Sequence, residues 1–176
     1  VSSVQKEMEP ERLAVFSLIT TDPFLSKHLN PVLFDKEPVS GRKASKPYLN
    51  CLDSCQVYLL LMNKEYGQLH GSLSATHHEY RHAQKCRMPS LIFVKGQDDS
   101  LRKKETKDFF REIKADGYTY KRLDDRLDLR KEVRRSLIRS LDQELGITPT
   151  KDESKSGIDT LESTSPSETT QTELAW

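Results

Sequence analysis

Residues 56–62 read QVYLLLM, and residues 90–95 read SLIFVK. The first run is apolar nearly throughout, and the second follows a Met88-Pro89 break. Strands of this kind are expected where both faces of a parallel sheet are covered by helices. Between them, after a polar loop at 63–72, SATHHEYRHAQKCR at 74–87 has helical character. A strand, a helix and a second buried strand make one βαβ unit, and the rest of the chain extends that pattern in both directions.

Upstream, EMEPERLAVFSLITTD at 7–22 carries Pro10, a residue favoured in a first helical turn. It places Leu13, Phe16 and Ile19 at helical spacing before Asp22-Pro23, which predicts a helix with those three residues on its buried face. Pro31 to Phe34 is a short apolar run, and Pro47 to Leu52 reads as a short helix. Downstream, a helix over 101–115 is expected to bury Phe109, Phe110 and Ile113, with Gly117 supplying the left-handed residue after it. YTYKRL at 118–123 alternates polar and apolar residues, as at a sheet edge. Asp128 is expected to cap a last helix running through Leu145 to Gly146. The alternation predicts a doubly wound, three-layer, flavodoxin-like α/β domain with helices on both faces of a parallel sheet. Such a domain opens with a central strand, yet only Val1 precedes Ser2-Ser3 here. The first strand is therefore expected to be truncated or missing.

The chain has 176 residues, with 28 Lys+Arg against 27 Asp+Glu and a net charge of +1. That near-balance conceals two unlike parts. From Thr150 onward the charge is −4, leaving +5 on Val1 to Pro149. A domain at 1–147 is expected, followed by an acidic Ser/Thr-rich tail or linker at 148–176 that is too poor in apolar residues to offset the entropy of ordering. No apolar run reaches the roughly 20 residues of a membrane-spanning helix, and no signal-peptide pattern is present. Cys51, Cys55 and Cys86 are an odd number without CxxC spacing, which suits reduced thiols and a cytoplasmic location. The basic residues between Arg102 and Arg139 are interspersed with Asp and Glu at helical spacing, so solvated faces are expected there and not direct nucleic-acid binding.

In open α/β sheets, ligands sit beyond the carboxyl ends of the strands, where the strand order reverses. That rule selects the loops containing Ser2 and Ser3, then Asn63, Glu65, Tyr66 and Gly67, then Lys95 to Gln97. GxGxxG and GxxxxGK[ST] are both absent, so neither a Rossmann dinucleotide site nor a P-loop is expected. His78-Glu79-Tyr80-Arg81-His82 matches HExxH, which on a helix offers two imidazoles for zinc with the Glu as general base. The extended form fails, because Lys85 stands where Gly is required and Met88 where the third His is required. Zinc hydrolysis by His78 and His82 is therefore a minor alternative, and no metal is expected.

The order VSSVQKE…ER, then CLDSCQVYLLLMNKEYG, then SxTxxEYxxAxxxxxPxLIFVKG resembles an uncharacterised bacterial domain family. Its members are similar to Toll/interleukin-1-receptor (TIR) domains and nucleoside deoxyribosyltransferases. They stand at the N-terminus of longer proteins described as transcriptional regulators or DNA-binding proteins with AlbA-like modules. The resemblance covers roughly residues 1–145. It implies that Glu79, in its SxTxxEY setting, helps cleave an N-glycosidic bond by stabilising positive charge on the sugar or by attacking it. Ser74 and Thr76 would then be first-turn groups near the ligand, with Tyr66 and Gly67 on the opposite wall and NAD or another nucleotide as substrate or ligand. A further acidic residue is expected where His77 stands. The resemblance also implies a non-catalytic alternative, in which the module self-associates or relays a signal to a C-terminal effector or DNA-binding domain.

Overall fold

The computed structural model describes residues 1–33 and 47–163. In chain order the elements are α1 (Glu9–Thr21), α2 (Leu25–His28), α3 (Pro47–Leu52), β1 (Tyr58–Met62), β2 (Leu69–His70), β3 (Leu73–Ser74), α4 (Ala75–Lys85), β4 (Ser90–Lys95), α5 (Lys104–Ala115), β5 (Tyr120–Leu123), α6 (Arg126–Leu145) and α7 (Lys151–Ser163). Strands β1, β4 and β5 form a parallel sheet in that order, with Leu60 opposite Ile92 and Val94 opposite Arg122.

The unbroken apolar character of β1 follows from its two faces. Leu59 and Leu61 pack with Val15, Leu18, Ile19, Leu129 and Val133 of α1 and α6. Tyr58, Leu60 and Met62 pack with Tyr80, Phe109 and Ile113 of α4 and α5. All five β1 residues are buried. A fully buried side chain of this size contributes roughly 1.5–3 kcal/mol, so neither face can turn polar without a large loss. This is the expected three-layer α/β arrangement.

The first strand is reduced to one parallel bridge, Ser2 to Leu60. The Ser2 N–H donates to Leu59 O at 2.8 Å, and Leu61 N–H donates to Ser2 O at 2.9 Å. On its other side Val1 donates from its amino group to Val32 O at 2.8 Å. Residues 1–3 therefore lie between Val32 and β1. From this centre α1 leads off along one face of the sheet while α4 crosses on the other, so the point where the chain reverses direction falls between Ser2 and β1.

Three local expectations differ from what is observed. Leu13 is 41% exposed, and the buried stripe of α1 runs through Arg12, Val15, Leu18 and Ile19. Helix α6 is capped by Asp125, whose carboxylate accepts from the Asp128 N–H at 2.9 Å. Part of the stretch expected as an unpacked tail forms α7. Thr150 and Glu153 satisfy its first turn, the Thr150 N–H donating to the Glu153 carboxylate at 2.9 Å and the Glu153 N–H to the Thr150 hydroxyl at 3.3 Å. Lys27 pairs with Glu153 at 2.7 Å. The Arg134 guanidinium donates to the Glu153 carbonyl and, at 2.6 Å, to the buried Asp22 carboxylate. Gly157 lies against that guanidinium, where a Cβ would collide with it. The SPSETTQTE string lies outside the described residues. Among the described residues, no helix is long and apolar enough to cross a membrane.

Candidate functional site

At the reversal point lies a cleft of about 520 Å³. Its walls come from the loop after the Ser2 bridge (Ser3 to Lys6), the loop after β1 (Gly67, Gln68, His70) and the start of α4 (Ser74, Ala75, Thr76, Glu79). Ser74 is the N-cap of α4, its hydroxyl accepting from the His77 N–H at 3.3 Å. The first turn of α4 thus opens onto the cleft. Gly67 adopts a left-handed backbone (φ +86°) that side chains rarely take, and it lies in ordinary contact distance of Val4 and Ser74 across the two loops. The loop after β1 is anchored from below by Glu7, whose carboxylate accepts from the Lys64 N–H at 2.8 Å.

Glu79 sits one turn into α4 and is half-buried. The Ser2 hydroxyl donates a very short hydrogen bond to its Oε2. Burial raises the pKa of this carboxyl, while the Ser2 bond and the nearby Val1 amino group and Arg12 oppose the rise. The group is thereby held at the edge of the cleft in an environment that disfavours its charged form, and among the described residues no basic side chain is bonded to it. On the same cleft, the Ser3 hydroxyl is buried and has no hydrogen-bond partner among the described residues. A buried hydroxyl without a partner costs free energy, and it faces the cleft that a ligand could enter.

Of the residues selected from sequence, Ser3, Gly67, Ser74, Thr76 and Glu79 line this cleft, and Ser2 holds Glu79. Asn63, Glu65 and Tyr66 do not line it. The Asn63 carbonyl accepts from Arg102 at 2.5 Å, and Glu65 pairs with Lys103 at 2.6 Å on the surface. Tyr66 turns inward, its hydroxyl 2.6 Å from Nδ1 of His77. Burial lowers the His77 pKa, and its Nε2 lies 3.1 Å from the Glu112 carboxylate, which can only accept. A neutral His77 therefore donates from Nε2 to Glu112 and accepts the Tyr66 proton at Nδ1. Its ring stacks on Phe109 with centroids 4.0 Å apart. His77 is thus a core side chain on the face of α4 away from Glu79, so an acidic residue at that position would not reach the cleft.

The Lys95–Gln97 loop is closed by arginines. Arg102 donates to Lys95 O at 2.8 Å and Arg122 to Gly96 O at 2.8 Å, while Asp99 bridges the two guanidiniums and is held down to about 2, by Arg122 first and then Arg102. The two histidines of the HExxH string also part company. His78 donates from Nε2 to His70 O at 2.9 Å, whereas His82 Nε2 meets Asp53 at 2.5 Å. The cleft residues Lys6, Gln68 and His70 escaped the sequence reading. Lys6 follows a loop that was singled out, but Gln68 and His70 enter only because the β2–β3 hairpin folds over the start of α4, pairing Leu69 with Ser74.

A doubly wound α/β domain with a carboxylate-bearing cleft at its reversal point is the class of protein that these features define. The chain belongs to the family described as Domain of unknown function (DUF4062), whose model matches residues 1–138. No curated protein and no solved structure gives a match.

Proposed function

We propose that the cleft binds a nucleotide or nucleoside and that Glu79 acts on its N-glycosidic bond. The observation that carries this reading is the placement of Glu79. A half-buried carboxylate, held among the described residues by Ser2 and by no basic side chain, lines a cleft that also contains a buried hydroxyl lacking a partner among those residues. Cleavage breaks the bond between the anomeric carbon and the base nitrogen, and the base leaves with the bonding pair. Positive charge then grows on the sugar carbon and ring oxygen, where an ionised Glu79 stabilises it. Water adds to the anomeric carbon, either directly or after a glycosyl ester to Glu79, and its proton is released with the base. Lys6 and the N-terminal end of α4 favour an anionic group such as phosphate at the same opening. The three cysteines, none of them in a disulfide among the described residues, suit a cytoplasmic setting. There the module would pass on occupancy of its cleft, by self-association or through an effector or DNA-binding domain.

The test is incubation of the purified chain with NAD and with nucleosides, following release of the free base by chromatography. Turnover by wild type and its loss in Glu79→Ala support the glycosidase. Saturable ligand binding without base release assigns the cleft to sensing. Neither binding nor release with either substrate class overturns the proposal.

A further inference from the structure

At the far end of α4 from the cleft, three different donor groups converge. His82 and Cys86 stand four residues apart on one face of the helix, Cys86 being its C-cap. Asp53 reaches them from the turn after α3. His82 Nε2 lies 2.5 Å from Asp53 Oδ1 and 3.7 Å from Cys86 Sγ, and the three ligand atoms all fall within 4.8 Å of one another. Among the described residues this is the one such grouping.

The geometry distinguishes two chemistries. In a Cys–His–Asp relay the carboxylate and the thiol bond to opposite ring nitrogens, so that one orients the ring while the other exchanges a proton. Here both approach Nε2, which cannot serve both at once. Convergence on one nitrogen instead suits a shared positive centre. Zinc bonds of about 2.0–2.3 Å at tetrahedral angles separate a nitrogen from a sulfur ligand by about 3.6 Å, close to the observed spacing, and a nitrogen from an oxygen by about 3.3 Å. Asp53 must therefore withdraw by under about 1 Å, and its side chain, 57% exposed, has room to do so.

We propose that Asp53, His82 and Cys86 form a binding site for a borderline divalent cation of the zinc class, with water completing its coordination. The mixed O, N and S donor set suits that class and not magnesium or calcium. On binding, Cys86 loses its thiol proton to solvent, and the proton between His82 and Asp53 leaves or moves to Nδ1. The ion joins α3 to α4. It uses neither His78, whose Nε2–H is engaged by His70 O, nor the cleft.

Cobalt(II) is the probe, because a thiolate ligand gives it a near-ultraviolet charge-transfer band that zinc then bleaches by displacement. The full chain, stripped with chelator, is titrated with Co²⁺. A band that saturates at one equivalent, disappears in Cys86→Ser, and needs at least about 10-fold more metal in His82→Ala and Asp53→Asn is the expected result. His78→Ala should titrate like wild type. No band, or an undiminished band in Cys86→Ser, overturns the proposal. Asp53→Asn preserves side-chain shape at an exposed position, so a loss of affinity there reads coordination and not misfolding.

Discussion

At its carboxyl end the Val1–Ser3 segment opens onto a cleft walled by Ser3, Gln5, Ser74, Thr76 and Glu79. At its amino end it borders a cavity of about 410 Å³, walled largely by Ile19, Leu29, Val32, Val57, Leu59 and Leu137. The two spaces are similar in size and differ in the groups that wall them: aliphatic side chains with His28, Asn30, Ser54 and Gln56 at the amino end, and a carboxylate with hydroxyls at the carboxyl end. Leu59 O and Leu61 N–H are both bonded to Ser2. The amino end presents mainly aliphatic walls, whose packing bears on the fold. The carboxyl end offers a carboxylate and a hydroxyl, which are requirements of a ligand. Substitutions at one end should move stability and leave the cleft alone, and the reverse should hold at the other.

The largest effect belongs to the framework end. Asp22, 1% exposed, closes the turn from α1 into α2 by accepting from the Phe24 and Leu25 N–H groups at 3.0 and 2.9 Å, and it pairs with Arg134. Asp22→Ala leaves that guanidinium without its carboxylate and is expected to cost about 3–5 kcal/mol. Thermal denaturation should show the midpoint falling by roughly 2–4 °C per kcal/mol. Ligand affinity measured well below the new midpoint should be unchanged. A weakened cleft would mean that the two ends are coupled.

At the cleft, Glu79→Gln is expected to lower base release by at least about 10²-fold while binding persists. The same substitution has a stability signature of known sign. Burial places the folded-state pKa of Glu79 above its unfolded value, so the folded form holds the proton more tightly. Stability is unaffected below the unfolded value near pH ~4.3. It falls as pH rises from there to the folded value, and stays lowered above it. Glu79→Gln removes that loss, so the variant should denature later than wild type at neutral pH and together with it below pH ~4. An inactive variant with lower stability at pH 7 would point to Glu79 as a structural residue.

A matched pair of insertions probes the two spaces directly. Val57→Ile adds one methylene to the apolar cavity and is expected to stabilise by about 0.8 kcal/mol without touching binding. Ala75→Leu extends into the cleft and should weaken nucleotide binding while leaving the denaturation midpoint within about 0.5 kcal/mol of wild type. Calorimetry and a ligand titration on the two variants separate these outcomes.

How much of this was legible in the sequence depended on whether one residue type admits one reading. YLLLM could be placed because an unbroken apolar strand needs cover on both faces, and the observed alternation between the α1/α6 and α4/α5 layers supplies it. Spacing alone misplaced Leu13, since a helix rich in apolar residues offers two plausible stripes and the aliphatic stems of Glu11 and Arg12 take part in the buried one. Asp128 and Asp125 both precede the same helix, and only the backbone at Asp125 is extended as a cap requires. Within the site, Glu79, Ser74 and Gly67 were readable from their places in the strand-to-helix order. Tyr66 was not, because its direction is decided by His77 and Glu112, which are 11 and 46 residues farther along the chain. The helical start of α7 did carry a local signal, the Thr150-x-x-Glu153 capping pair, while its seat on the domain depends on the distant Lys27 and Arg134.

The smallest expected effect tests the contrast most closely, because it asks one side chain to be a liability for the fold and an asset for the ligand. Ser3 is 8% exposed and its hydroxyl is unpartnered. Removing a buried polar group that has no partner should leave stability unchanged or raise it by up to about 1 kcal/mol. If the hydroxyl is there to meet a ligand, Ser3→Ala should at the same time weaken binding by roughly 2- to 10-fold, the worth of one hydrogen bond of about 0.5–1.5 kcal/mol. Denaturation and titration on this one variant must then move in opposite directions. A gain in stability with unaltered binding would make Ser3 a framework residue, and the cleft would lose one of the two features that mark it as a ligand site.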